Sequence, residues 1–341
     1  MMRLSKLHFI HAWVFGLLLC ALPTAAALNL LERRAIKFTR MFQEVQMAPA
    51  ALVEHKGEYY VTDMKGNRIL VFNRQGKLRR TIGVVGSGPG ELLRPAELAI
   101  SKDDLIHVLE GGNERVQIMT LEGKYVNHFP IGYTQGFAIS SKGEIFFGQP
   151  EKGKLISVYS RRGQLIKSFG DLRKVSDFYG QAYAQKNKVY ELLINRVDIC
   201  IDRSDNVYAT FRFAPVLQKY DPNGRLLWEV RLQGSDIDTL VNLFLTDEKN
   251  RKFIRIGTDG QHANLVLLNA VVNQHTGNIC VLLPNKVLYV LDGQGKRLHS
   301  FDLVPADPKD RDVWPEGLTL NASGEIVLID SSRCVLLERR R

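Results

Sequence analysis

Six times along the chain the same arrangement returns: a Gly or Asp, an alternating strand, a polar turn, a second alternating strand, and in most copies a Gly in the turn after it. The first copy reads KGEYYVTDMKGNRILVFNRQGKLRRTIG (56–83), and further copies start near residues 103, 142, 204 and 276, with a shortened sixth from Ser323 to the end. Within each, apolar residues such as Ile69 and Val71 alternate with polar ones such as Arg68, the period of half-buried strands. The turns are rich in Gly, Asn and Asp, as hairpins require. A short strand precedes each copy (AALV, ELAI, GFAI, DICI, AVVN, GLTL), giving four antiparallel strands per unit. No such unit buries its own faces, so the units must stack on one another. The implied fold is all-β, a six-bladed β-propeller.

The sixth copy lacks an outer strand, and a ring with an open sheet edge invites pairing with other chains. The segment IKFTRMFQEVQ (36–46) alternates Phe38, Arg40 and Phe42 and is expected to supply that strand. The domain layout is therefore a leader over 1–27, an N-terminal segment with the closing strand over 28–47, and the propeller over 48–341. The Gly or Asp anchors Gly57, Asp104, Gly143, Asp205, Gly277 and Gly324 stand 47, 39, 62, 72 and 47 residues apart. The two long intervals place insertions near 171–195 and 234–264, and insertions of repeat proteins gather on one face.

GVVGSGPGELLRP (83–95) holds four glycines, which raises the question of a phosphate-cradling loop. Its glycines do not follow G-x-G-x-x-G, no Gly-Lys-Ser/Thr follows, and Pro95 opens a strand rather than a helix. The stretch reads instead as the corner between the outer strand of one unit and the inner strand of the next, where glycine permits positive φ.

This corner and the hairpins around it resemble secreted bacterial six-bladed β-propellers related to the NHL-repeat family. The resemblance is carried by the Gly-Pro-Gly-Glu corner with Pro95 after it, by Asp63, Asn67, Arg68, Ile69 and Phe72, and by Glu110, Asn113, Arg115, Val116 and Ile118. It extends over 48–170, 189–230 and 265–341, and the fourth unit departs most, since FRFAPVLQKY has no Asn-Arg turn. The resemblance implies a binding or scaffold module. It also implies an alternative, because some related propellers are metal-dependent lactonases or lyases built around the central tunnel.

MMRLSKLHFIHAWVFGLLLCALPTAAA has the basic start, short apolar run and small-residue end of a secretory leader. Export to the periplasm or beyond is expected, and Leu19 before Cys20 argues against lipidation there. The apolar run is too short to span a bilayer, and no later stretch is long enough. The formal charge of +10 becomes +8 when Arg3 and Lys6 leave with it, a balance that suits anionic partners. The expected partner is thus a protein or an anionic polysaccharide, not nucleic acid. The remaining Cys200, Cys280 and Cys334 form no C-x-x-C pair and sit in apolar runs, as small buried hydrophobes.

No nucleophile elbow or H-E-x-x-H helix is present, and no catalytic residue is assigned. His107, between Ile106 and Val108, reads as structural. Residues beginning the inner strands would face the tunnel mouth: Glu97, Arg196, Asp198, Asn269, Trp314 and Glu316. No cofactor is expected on the binding reading. On the enzymatic alternative Glu97, Asp198, Asn269 and Glu316 offer the oxygen ligands that suit Ca2+, although counting from the anchors does not put these four in one layer. Trp228, in an outer strand, is expected to pack between blades.

Overall fold

The computed structural model describes residues 34–42, 45–132, 134–180, 189–244, 253–256, 261–330 and 334–337. The expected leader lies outside the described residues. The chain forms six four-stranded antiparallel blades, as the repeat implied. Blade one holds β2–β5 (Pro49–His55, Glu58–Asp63, Arg68–Asn73, Leu78–Ile82), and blade two β6–β9 (Pro95–Ile100, Leu105–Glu110, Arg115–Thr120, Tyr125–Pro130). Blade three holds β10–β13 (Gln135–Ile139, Ile145–Gly148, Ile156–Tyr159, Leu165–Phe169), and blade four β14–β17 (Val197–Ile201, Val207–Phe211, Val216–Tyr220, Leu226–Arg231). Blade five holds β20–β23 (Asn269–Val272, Ile279–Leu283, Val287–Leu291, Arg297–Pro305). Blade six is β24–β26 (Gly317–Leu320, Ile326–Ile329, Cys334–Leu337) completed by β1 (Arg34–Arg40).

β1 pairs antiparallel with β26, Phe38 opposite Leu337 and Arg40 opposite Val335, so the N-terminal segment does supply the missing outer strand. Its bounds shift to 34–40 from the expected 36–46. It also pairs in parallel with the far half of β23, from Arg34 opposite Phe301 to Phe38 opposite Pro305, fusing blades five and six into one eight-stranded sheet.

Packing repeats with the sequence. Six apolar clusters of buried residues lie one at each blade-to-blade interface. Over the four interfaces from blade one to blade five, the glycine of a strand three–four hairpin sits on an apolar residue of the preceding outer strand. Gly123 sits on Ile82, Gly163 on Phe129, Gly224 on Phe169 and Gly295 on Val230, each at positive φ and with no room for a Cβ. In blade one the same turn glycine, Gly76, sits on Met41 and Phe42. The residues just after β1 thus occupy the place of an outer-strand end. Phe42 stacks on Phe72 with centroids 4.1 Å apart, and the ring is closed.

The inner strands β2, β6, β10, β14, β20 and β24 lie each against the next all the way round, enclosing the central tunnel. They all begin at one end, here the upper face, where inter-blade corners and strand two–three hairpins gather. The strand one–two hairpins form the lower face. There Asp104, an anchor at positive φ, accepts hydrogen bonds from His55 and Lys56 of blade one, and the anchor Asp205 accepts from Ser141 of blade three.

Both insertions belong to the upper face. α1 (Ser176–Tyr179) and α2 (Val189–Leu193) come from the first. α3 (Ser235–Phe244) and the hairpin β18–β19 (Phe253–Ile256, Gln261–Asn264) come from the second. They meet around Phe244, whose ring stacks on Tyr179 at 4.2 Å and meets Tyr190 and Phe213 at an angle. Together they cap blades four and five.

Candidate functional site

The tunnel-lining residues follow from strand alternation. In β6, β14 and β20 the half-buried Glu97, Asp198 and Asn269 alternate with buried Leu98, Ile199 and Ala270. Register brings the three to one level, since they pair with Leu109, Thr210 and Leu282, each five residues past its hairpin anchor. The one-residue offset of Asn269 implied by counting in the sequence is absorbed by its hairpin, which holds six residues between Val272 and Ile279 where those of β6 and β14 hold five. In blade six Gly317 holds the same level, so that side offers no group.

Three charges converge here. Glu97 touches the tunnel yet is walled by protein, and burial, reinforced by the nearby Asp198 charge, pushes its carboxyl up to about 8 against an opposing pull from Arg212. Burial likewise raises Asp198 to about 6, opposed by Arg212 and the amide of Ile199. Near neutral pH, therefore, Glu97 keeps its proton while Asp198 is largely ionised beside a guanidinium. Two carboxyls with separated proton affinities mark a site fit to donate and accept hydrogen bonds at once.

Arg212 escaped the sequence reading. Its signal was the irregular fourth unit. In blades one, two and six an acid ends the second strand and latches the entry of the inner strand: Asp63 accepts the amide of Ala48, Glu110 that of Leu93 and Asp330 that of Trp314. Blade four has Phe211 at that position and Arg212 next, whose amide bonds the carbonyl of Arg196 and whose carbonyl takes Val266 and Leu267 of the second insertion. The lost latch leaves a cation over the tunnel, with its Nε enclosed and without a hydrogen-bond partner.

The other expected residues do different work. Arg196 is half-buried and supports the Arg212 turn through its carbonyl. The Asn269 side chain is committed to blade six, donating to the carbonyl of Leu318 at 2.9 Å and accepting its amide at 3.1 Å. Trp314 is half-buried under the Lys286 ammonium, 4.3 Å from its ring centroid. Glu316 is exposed beside β24. The four expected Ca2+ ligands are thus not gathered, and among the described residues no group of three or more His, Cys, Asp or Glu side chains is placed to hold a metal.

The glycine stretch is a corner, and the residues carrying the resemblance are what hold it. Arg115 is paired with the fully buried Glu110 at 2.6 Å and donates to the carbonyls of Ser87, Gly88 and Glu91. Asn113 donates to Gly86 and Gln117 to Glu91. The side chains of Glu91 and Gln117 take the amides of Gly88 and Gly90. A loop so engaged has no amide cradle to offer a phosphate.

Comparison with known proteins agrees on architecture. Residues 45–149 match the DUF5128 family, described as a 6-bladed beta-propeller. A stretch of 123 residues, 35% of the chain, is 23% identical to the protein brain tumor of Drosophila melanogaster, of which it covers only 12%. Among solved structures, the virginiamycin B lyase of Staphylococcus aureus is 12% identical with a TM-score of 0.54, over 89% of this chain and 99% of that one. A protein of Bacteroides fragilis titled as exported is 11% identical with a TM-score of 0.56, over 92% and 97%. The WD40 repeats of RRP9 are 11% identical with a TM-score of 0.55, over 90% and 100%. At such identities the likeness shows the β-propeller fold alone. No helix among the described residues is long and apolar enough to cross a membrane.

Proposed function

We propose that this chain is an exported, non-enzymatic binding module that docks a protein partner on its capped upper face. The observation that carries this reading is apolar surface left open there: Val84 and Val85 in the corner are each 65% exposed, and Leu172 and Leu192 of the first insertion are exposed too. Apolar groups exposed on a face built from corners and insertions suit a protein surface. Export is supported by the leader pattern of residues 1–27 and by likeness to a protein titled as exported. A photo-crosslinking residue at Val85 or Leu192 is expected to trap one discrete partner in envelope extracts, and one at Ser204, on the lower face, is not. Equal adducts from both faces would overturn the assignment.

A second reading is favoured by the tunnel site. Glu97, protonated near neutral pH, and ionised Asp198 beside Arg212 form an acid–base pair. That suits lyase or lactonase chemistry, with Ca2+ as an added group in the sequence expectation. Turnover of uronide polymers or lactones that is lost in Glu97→Gln would support it, and turnover unchanged in that variant would end it.

A further inference from the structure

We propose that the lower mouth of the tunnel binds an acidic oligosaccharide, held by Arg203 and Lys102 across two adjoining hollows. This site lies on the other face and does not rest on the protein-docking reading. One hollow, of about 360 Å3, is floored by Ile201, Val271 and Leu320, and its neighbour, of about 460 Å3, by Ile100, Ile139 and Ile201. Each has the size of a small-ligand site. Both are lined by Arg203 and Gln274.

The acids and the cations at this mouth differ in how they are held. The carboxylates are hydrogen-bonded within the fold. Glu54 accepts the amides of Gly57 and Ala322, Asp202 those of Ser204 and Asn206, and Asp205 the amide and hydroxyl of Ser141. By contrast, Arg203 and Lys102 are exposed, and among the described residues neither side chain has a hydrogen bond or ion pair. His275 adds an imidazole at the rim, its Nε2 on the carbonyl of Ala322. A planar guanidinium between two hollows matches a carboxylate in two-point contact. The apolar linings fit sugar-ring faces, and Thr319 and Gln274 fit hydroxyls. A lone phosphate would use the cation and leave both hollows empty. A chain of uronic acids uses all three features.

Isothermal titration with oligogalacturonate at low salt tests this on the full mature chain. Binding is expected, weakened at least about tenfold in Arg203→Gln/Lys102→Gln, as loss of charge-assisted hydrogen bonds implies. Arg162→Gln, an exposed cation of a strand three–four hairpin, is expected to bind like the parent. All sites are exposed, and matched circular dichroism confirms that each variant folds. The proposal is overturned if oligogalacturonate does not bind, if neutral galacto-oligosaccharides bind equally, if inorganic phosphate binds as tightly, or if the double variant keeps its affinity. Crosslinking at Val85 reads the upper face, so this inference and the docking reading fail separately.

Discussion

Glu97 carries the largest conflict between burial and charge at the tunnel, and that conflict has a direction in pH. Its carboxyl ionises near 4.5 when unhindered and at about 8 in the fold, so between those values the folded chain holds a proton that the unfolded chain has released. The stabilising difference is complete below about pH 4.5 and is lost as pH rises through 8. Glu97→Gln is therefore expected to flatten the urea-midpoint profile between pH 5 and 9 and to exceed the parent at the alkaline end. A parent profile that climbs toward pH 8 would contradict it. His107 runs the opposite way: burial lowers it to about 4, and its Nε2 has no hydrogen-bond partner. Stability tied to this residue is present above pH 6.5 and lost as pH falls toward 4. His107→Leu removes both the orphaned nitrogen and the acid-side slope, with a neutral or stabilising effect of up to about 1 kcal/mol in urea unfolding at pH 7. That outcome would fit the structural role read from its apolar neighbours. Cys280, buried with its thiol pushed up to about 12, is similarly inert.

Among the elements, the corner after blade one shows how much of a repeat is written locally. Alternation and turn chemistry made the strands legible, because each signal lies within a few residues of its effect. The corner was legible as a corner for the same reason, through Gly86, Pro89 and Gly90. What grips it was not, since Arg115 reaches back 24 to 28 residues to find its carbonyls. The common level of Glu97, Asp198 and Asn269 was hidden by a hairpin one residue longer after β20, and Arg212 was hidden because it lies just past the end of β15, outside the alternation that marks the strands. The grip has a measurable size. Glu110→Ala leaves Arg115, 7% exposed, without its counter-charge, and removing one partner of a buried pair costs about 3–5 kcal/mol. Lys154→Ala, which breaks the exposed pair with Asp171, is expected to cost at most about 1 kcal/mol. Urea midpoints of the two variants compare them directly, and equal losses would mean that Arg115 holds the corner through its carbonyl contacts alone.

At the scale of the whole molecule the ring is kept shut by nine residues far from the rest of their blade in sequence. β1 completes blade six, joins it to blade five through β23, and hands Phe42 to the turn of blade one. Phe38 is fully buried in the cluster between blades five and six, and Phe42 sits in the cluster between blades six and one. Phe38→Ala and Phe42→Ala should each cost about 3–5 kcal/mol, the range for emptying a buried aromatic site. Because the two lie in different interfaces, their effects should add to within about 0.5 kcal/mol in the double variant if the interfaces are independent. A closed ring predicts otherwise. Loosening either interface frees the same strand, so the second substitution has less left to lose, and the double variant should fall short of the sum by more than that margin. Hydrogen exchange supplies the matching observation. Amides of β26 and of the far half of β23, at opposite edges of β1, should lose protection together in either single variant, whereas those of blade three keep theirs. Additive losses with protection changing at one edge only would mean that β1 decorates two blades and does not lock the circle.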